Sequence, residues 1–204
     1  MAGTKLLVLT LVALLSLFTI AAWAQNPPGT PPPADTLKVD YFANANTSGA
    51  PDATVRTVHP GTTYSNLCAD IFVFDTNEEL TECCSCIITP NGRLDLSVNA
   101  DLTSNPLTGD TLTDGVLKIV SALPAAGGDC PVPYKTITPA PTLRHWTTHI
   151  QTSGFTLTEN VSPDARLSNA ELVNLAGQCH AIVRDGSKHG ICANSSAWGG
   201  ICNF

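Results

Sequence analysis

From Leu37 onward, hydrophobic and polar positions follow the period of β-strands more than that of helices. Leu37, Val39, Tyr41 and Ala43 alternate with Lys38, Asp40 and Asn44, which predicts a half-buried strand with the apolar set inward. Ile71-Phe72-Val73-Phe74 is an unbroken apolar run between Asp70 and Asp75, as expected of a strand buried on both faces. Leu80 to Thr89 carries apolar and thiol positions up to the turn Pro90-Asn91-Gly92. Arg93 to Leu102 alternates again, with Leu94, Leu96, Val98 and Ala100 on one face. Val116 to Ala122 is another short strand, and His145 to Thr158 holds one or two more, broken near Ser153-Gly154. Threonine is abundant throughout, and β-branched side chains suit a pleated surface.

One segment has helical period. Ser168-Asn169-Ala170-Glu171 reads as a capping box, in which the Ser hydroxyl and the Glu carboxylate each satisfy a backbone N–H of the first turn. Leu172, Leu175, Ala176 and Cys179 then recur on one face, and Gly186 is a natural stop, giving a helix over about residues 168–185. A Cys- and Gly-rich tail follows, with two copies of Gly-Ile-Cys. The strands and turns fall at sandwich-like spacing. The expected fold is mainly β, a β-sandwich with one C-terminal α-helix, stapled by disulfides. It forms a single domain over residues 37–204.

Two segments precede that domain. Residues 1–24 have the form of a secretory signal peptide: Lys5, then an apolar stretch from Leu6 to Ile20, then Ala22-Trp23-Ala24 as a small-x-small cleavage site. The run is close to the ~20 residues that span a bilayer, so an uncleaved anchor is the competing reading. The short n-region and the placed cleavage site favour removal. Residues 25–36 hold five prolines between Gln25 and Asp35, a semi-rigid extended tether.

Composition and charge narrow the partners. The chain carries 10 basic and 17 acidic residues, for a net charge of −7. Loss of Lys5 with the signal leaves 9 against 17, or −8. Without a Lys/Arg cluster, that field disfavours nucleic acid and anionic membrane surfaces. After signal cleavage no apolar segment is long enough for a membrane span. The expected partner is another protein or a surface outside the cell.

The eight cysteines are Cys68, Cys83, Cys84, Cys86, Cys130, Cys179, Cys192 and Cys202. An even count behind an export signal points to disulfides, with 105 pairings open for eight thiols. Cys68, Cys83, Cys84 and Cys86 form one cluster, and Cys179, Cys192 and Cys202 another. Cys130 should join one of the two. Local pairing would tie Cys179 to Cys192 or Cys202. Cys83 and Cys86 are formally C-x-x-C, but a redox dithiol needs a helix N-terminus, whereas Ile87-Ile88-Thr89-Pro90 looks like strand and turn. Haem attachment would need His where Ile87 stands. A zinc or copper site competes poorly with oxidation outside the cell.

Other constellations are weaker. His145 and His149 (HWTTH) lack the Glu of a zinc helix, and on a strand their rings would stand about 13 Å apart. His59, His180 and His189 are scattered. Gly186-Ser187-Lys188-His189-Gly190 does not have the spacing of a nucleophile elbow. Glu78, Glu79 and Glu82 could be imagined as a glycosidase carboxylate pair, but a solvated acidic loop is the simpler reading. Asn99 to Gly115 is rich in oxygen ligands that suit Ca²⁺ but lacks the EF-hand order. Asn46, Asn160 and Asn194 begin N-x-S/T sequons. No cofactor motif is present.

The blocks LCADIFVFDTNEELTECCSC, LDLSVNADLTSNPLTG and LSNAELVNLAGQCHAI resemble segments of uncharacterised secreted bacterial proteins. The resemblance spans most of the mature chain and implies a shared exported scaffold, without an activity or a site. The leading expectation is an exported, non-catalytic protein with a structural or binding role in the extracellular space or cell envelope. The alternatives are a secreted hydrolase with His145, His149 or His180 as base, and a Ca²⁺-stabilised adhesive module using the loop from Asn99 to Gly115.

Overall fold

The computed structural model describes residues 31–103, 111–130, 136–152, 154–187 and 201–202, the last pair and 185–187 by backbone only. The expected signal segment and half of the Pro-rich stretch lie outside these residues. Among the described residues, ten strands form two sheets. Sheet A runs β10 (Ile201–Cys202), β4 (Leu80–Ile88), β3 (Leu67–Phe74), β6 (Gly115–Ala122), β1 (Leu37–Phe42) and β9 (Asp164–Ala165). Sheet B runs β5 (Arg93–Ser97), β2 (Thr54–Val58), β7 (Arg144–Gln151) and β8 (Thr156–Val161). All pairings are antiparallel except that of β10 with β4.

Sheet A is covered on both faces, which explains the unbroken apolar run in β3. Ala69, Ile71 and Val73 face the sandwich interior with Leu117 and Ile119, against Val55, Leu94 and Leu96 of sheet B. Phe72 and Phe74 belong to a second cluster with Leu37 and Val120, beneath Leu175 and Cys179 of helix α1 (Asn169–Ala181). All eight residues of β3 are buried. Each of its large side chains contributes on the order of 1.5–3 kcal/mol by leaving water.

Helix α1 is anchored by a narrow face, with only Leu175 and Cys179 fully buried. The Ser168 hydroxyl accepts from the Glu171 N–H at 3.0 Å, as the capping box requires. The reciprocal half is absent. The Glu171 carboxylate instead takes the Lys118 ammonium of β6 at 2.5 Å, and Lys118 lies 4.9 Å over the Phe74 ring. A cross-layer ion pair thus replaces a local hydrogen bond. A π-helical segment, Ile182–Ser187, continues the helix.

Two sequence expectations are corrected here. The strand expected over Arg93 to Leu102 stops at Ser97, because Ser97 caps a π-turn (Val98–Leu102): its hydroxyl accepts from Ala100 N–H and its own N–H donates to Asp101. Ala100 is therefore exposed, while Leu94, Leu96 and Val98 are buried as expected. Strand β1 is not half-buried with the apolar set alone inward: Leu37 lies beneath the helix while the polar set turns into the sandwich. Lys38 and Asp40 are 5% and 8% exposed, whereas Tyr41 is 51% exposed. The cause is that β1 lies opposite a polar strand, β7, and not opposite the aliphatic part of the core. Strand β2 is not among the strands expected from the sequence, and its residues alternate between half-buried and buried.

The disulfides also differ from local pairing. Cys68 joins Cys130, placing the isolated thiol in the first cluster. Cys83 joins Cys179, so the helix is tied to β4 and not to the tail. Successive side chains of a strand point to opposite faces. Cys83 therefore meets the helix, while Cys84 and Cys86 enter the sandwich core. Cys84 and Cys86 are also disulfide-bonded. Cys192 lies outside the described residues. The backbone of Cys202 stands beside that of Cys86 in the β10–β4 pairing.

Non-reducing peptide mapping should recover Cys68–Cys130 and Cys83–Cys179, with Cys84 and Cys86 linked to Cys192 and Cys202. A Cys179–Cys202 peptide would overturn the arrangement. The double substitution Cys83→Ala with Cys179→Ala should cost about 2–4 kcal/mol and release amide protection in α1 before that of β3.

Candidate functional site

The polar interior of the sandwich follows from β7. His145, Thr147 and His149 alternate on its inward face, opposite Lys38 and Asp40 of β1. Each inward residue has at least one partner, although His145 Nε2 and Asp40 Oδ2 have none among the described residues. Thr57 Oγ1 lies 2.8 Å from His145 Nδ1, and Thr147 Oγ1 lies 3.0 Å from Ser162 Oγ. Lys38 bridges Asp35 and Asp164, and Asp35 also pairs with Arg144. Against an opposing desolvation, Lys38 and Arg144 hold the Asp35 carboxyl below the usual carboxylate range. Thr36 closes this end, its carbonyl accepting from Ser121 N–H at 2.8 Å.

At the other end of the row the interior opens. His149 Nε2 is 2.9 Å from Asp40 Oδ1, and the Asn160 side-chain amide of β8 is 3.0 Å from His149 Nδ1. An amide nitrogen only donates, so Nδ1 accepts and Nε2 carries the hydrogen that Asp40 receives. Asp40 Oδ1 also accepts from the Tyr41 N–H at 2.9 Å. The Tyr41 ring stacks on His149, with centroids 4.3 Å apart and planes 12° from parallel. These groups floor a cleft of about 520 Å³, walled by Val39, Val116, Val161 and Pro163. The cleft sits where both sheets end. Strand β9 pairs with Leu37 and Lys38, the Val39 N–H donates to the Pro163 carbonyl just before β9, and β8 is the last described strand of sheet B.

Of the three candidate bases, His145 and His149 share the inward face of β7. His180 is exposed on α1, which packs on the opposite face of sheet A. His145 is fully buried. Desolvation first, then the Lys38 charge, pushes its pKa down to about 3. The three do not converge. Among the described residues no group of three His, Cys, Asp or Glu side chains could hold a metal ion. Cys83 and Cys86 point to opposite faces of β4, so the C-x-x-C is not a dithiol pair.

The acidic stretch divides as well. Glu78 and Glu79 are exposed in a turn that Asp75 organises through the N–H groups of Asn77 and Glu79. Glu82, expected in a solvated loop, is 1% exposed inside the sandwich. Desolvation, reinforced by the Asp101 charge, pushes its pKa up to about 9. It lies two residues into β4, opposite Val73 in the β3–β4 register, which turns it inward. In the loop considered for calcium, Asp101 accepts from Ser97 N–H at 2.7 Å and Asn99 Oδ1 from Asn46 N–H at 3.0 Å. Residues 104–110 of that loop, residues 188–190 and Asn194 lie outside the described residues.

Sequence reasoning singled out His149 but missed Asp40, Tyr41 and Asn160 as its partners. The alternation in β1 is compatible with either face inward, and nothing local identifies the polar one as buried. Comparison of the chain with protein-family models, with characterised proteins and with solved structures finds no match.

Glu82 sets a pH dependence. Its proton is retained in the fold up to about pH 9 but leaves the unfolded chain near 4.5. Its contribution to stability is therefore full below pH 4.5 and declines as pH rises towards 9. Asp70 acts in the same direction, since desolvation raises its carboxyl from 3.8 to about 7 against a hydrogen bond from Ser85. Thermal melts from pH 5 to pH 9 should show a falling Tm, and Glu82→Gln should flatten that fall and raise Tm at pH 8. An unchanged slope would place Glu82 in water.

Proposed function

We propose that the protein is an exported, disulfide-stapled binding protein without catalytic activity, and that the cleft between β1 and β8 is its recognition site. The carrying observation is the state of His149. Both ring nitrogens are engaged, one by Asp40 and one by Asn160, and Tyr41 covers a ring face. A general base needs a nitrogen within reach of a proton to abstract. Here the nitrogen opposite the carboxylate meets an amide donor, and the ring is fixed as a structural element of the cleft wall. The Thr147 and Ser162 hydroxyls nearby bond each other.

Export is supported by the leader, by the resemblance to secreted bacterial proteins, and by disulfides, which persist in oxidising compartments. No helix among the described residues is long and apolar enough to cross a membrane. The polar outer face of sheet B fits an aqueous setting. Arg56 pairs with both Asp95 and Glu159, and Arg93 with Asp95.

The natively exported protein should begin at Gln25 and show no turnover above buffer on panels of ester, peptide and glycoside substrates. His149→Asn should leave that background unchanged. Turnover that disappears in a folded His149→Asn variant would replace the binding reading with the hydrolase one.

A further inference from the structure

We propose that the partner of this cleft is a basic peptide in extended form, which pairs with the free edge of β8 and lays a lysine or arginine side chain along the cleft towards Asp40. This rests on the binding reading and specifies its ligand. Three observations carry it.

The first is an incomplete carboxylate. Asp40 is 8% exposed, and its Oδ1 accepts from His149 and Tyr41 N–H. Its Oδ2 is buried and has no hydrogen-bond partner among the described residues. A buried oxygen of this kind is costly to leave without a donor. A cationic side chain entering the cleft supplies donor and counter-charge together.

The second is the shape and chemistry of the walls. Val116 and Val161 are 36% and 63% exposed, and Tyr41 51%. Long basic side chains have apolar stems that cover such surface while their heads seek a carboxylate. Tyr41 has one face on His149, and a cation can lie against an exposed aromatic ring. The net charge of −7 favours the approach of a cationic partner.

The third is the strand edge. All six residues of β8 are exposed, and no described strand pairs on its far side. Such an edge presents main-chain donors and acceptors in register for one more strand. Asn160 and Val161 belong to β8 and also line the cleft, so a strand added there passes the cleft mouth.

The probe is an acetylated, amidated hexapeptide of alternating valine and lysine, titrated into the ¹⁵N-labelled mature protein. A valine–glutamate counterpart and n-butylamine serve as controls. The expected result is saturable shifts at Tyr41, His149 and the β8 amides with the lysine peptide, and none with the glutamate peptide. Asp40→Asn should weaken binding by about tenfold or more, as should Val161→Lys, whose exposed position leaves the fold intact. Glu171→Gln, on the far layer, should have no effect. Absence of saturable shifts, equal response to the glutamate peptide, or response to butylamine without shifts in β8 would each overturn the proposal. Because the substrate panels report catalysis independently, failure here leaves the non-catalytic binding reading standing, and turnover there is visible whatever the peptide does.

Discussion

Burial of sheet A on both faces is the constraint on which the rest of the structure depends. A sheet covered once needs a single apolar face, but β3 must satisfy a second sheet on one side and a helix on the other. Its sequence, LCADIFVF, leaves no position for solvent. The helix that supplies the second cover has a poor apolar face of its own, so it is fastened by Cys83–Cys179 and by the Lys118–Glu171 pair. Within sheet A, Gly115 of β6 sits where its two neighbouring strands, β1 and β3, leave no room for a side chain. A Cβ there would stand 2.3 Å from the Phe74 carbonyl oxygen and 2.6 Å from the Phe42 ring.

Against this apolar half stands the polar half between β1 and β7. Lys38, Asp40, His145, Thr147, His149 and Ser162 are all buried, and ion pairing, hydroxyl contacts or neutral protonation states accommodate them. The arrangement is incomplete at each end, with His145 Nε2 and Asp40 Oδ2 both buried without a hydrogen-bond partner among the described residues. At the Lys38 end two carboxylates converge on one ammonium, while at the Asp40 end one oxygen is left over.

Much of the architecture was legible in the sequence because it rests on repeated local signals. The apolar run of β3, the thiol-rich β4, the Ser168 cap and the break between β7 and β8 all stand in sequence. What was not legible depended on which face of an element meets which neighbour. The alternation of β1 is real, but only the identity of its opposing strand decides that Lys38 and Asp40 turn inward. Glu82 looks like its exposed neighbours Glu78 and Glu79 until the strand begins. The tail pairing failed for the same reason: Cys179 is near Cys192 in sequence, yet α1 faces β4. The cleft joins residues from β1, β7 and β8, and no spacing within one segment could have announced it.

The placement of adjacent thiols on opposite faces of β4 makes the disulfides a reader of strand register. If β4 slipped by one residue against β3, Cys84 would turn towards the helix and Cys83 into the sandwich, and Cys179 would find the wrong sulfur. The correct bond can close only on a correctly paired strand, and once closed it prevents the slip from recurring. Oxidation in this chain is therefore a proofreading step: the cross-link stores, in covalent form, a choice of register that the hydrophobic pattern alone, apolar on both faces, leaves weakly specified.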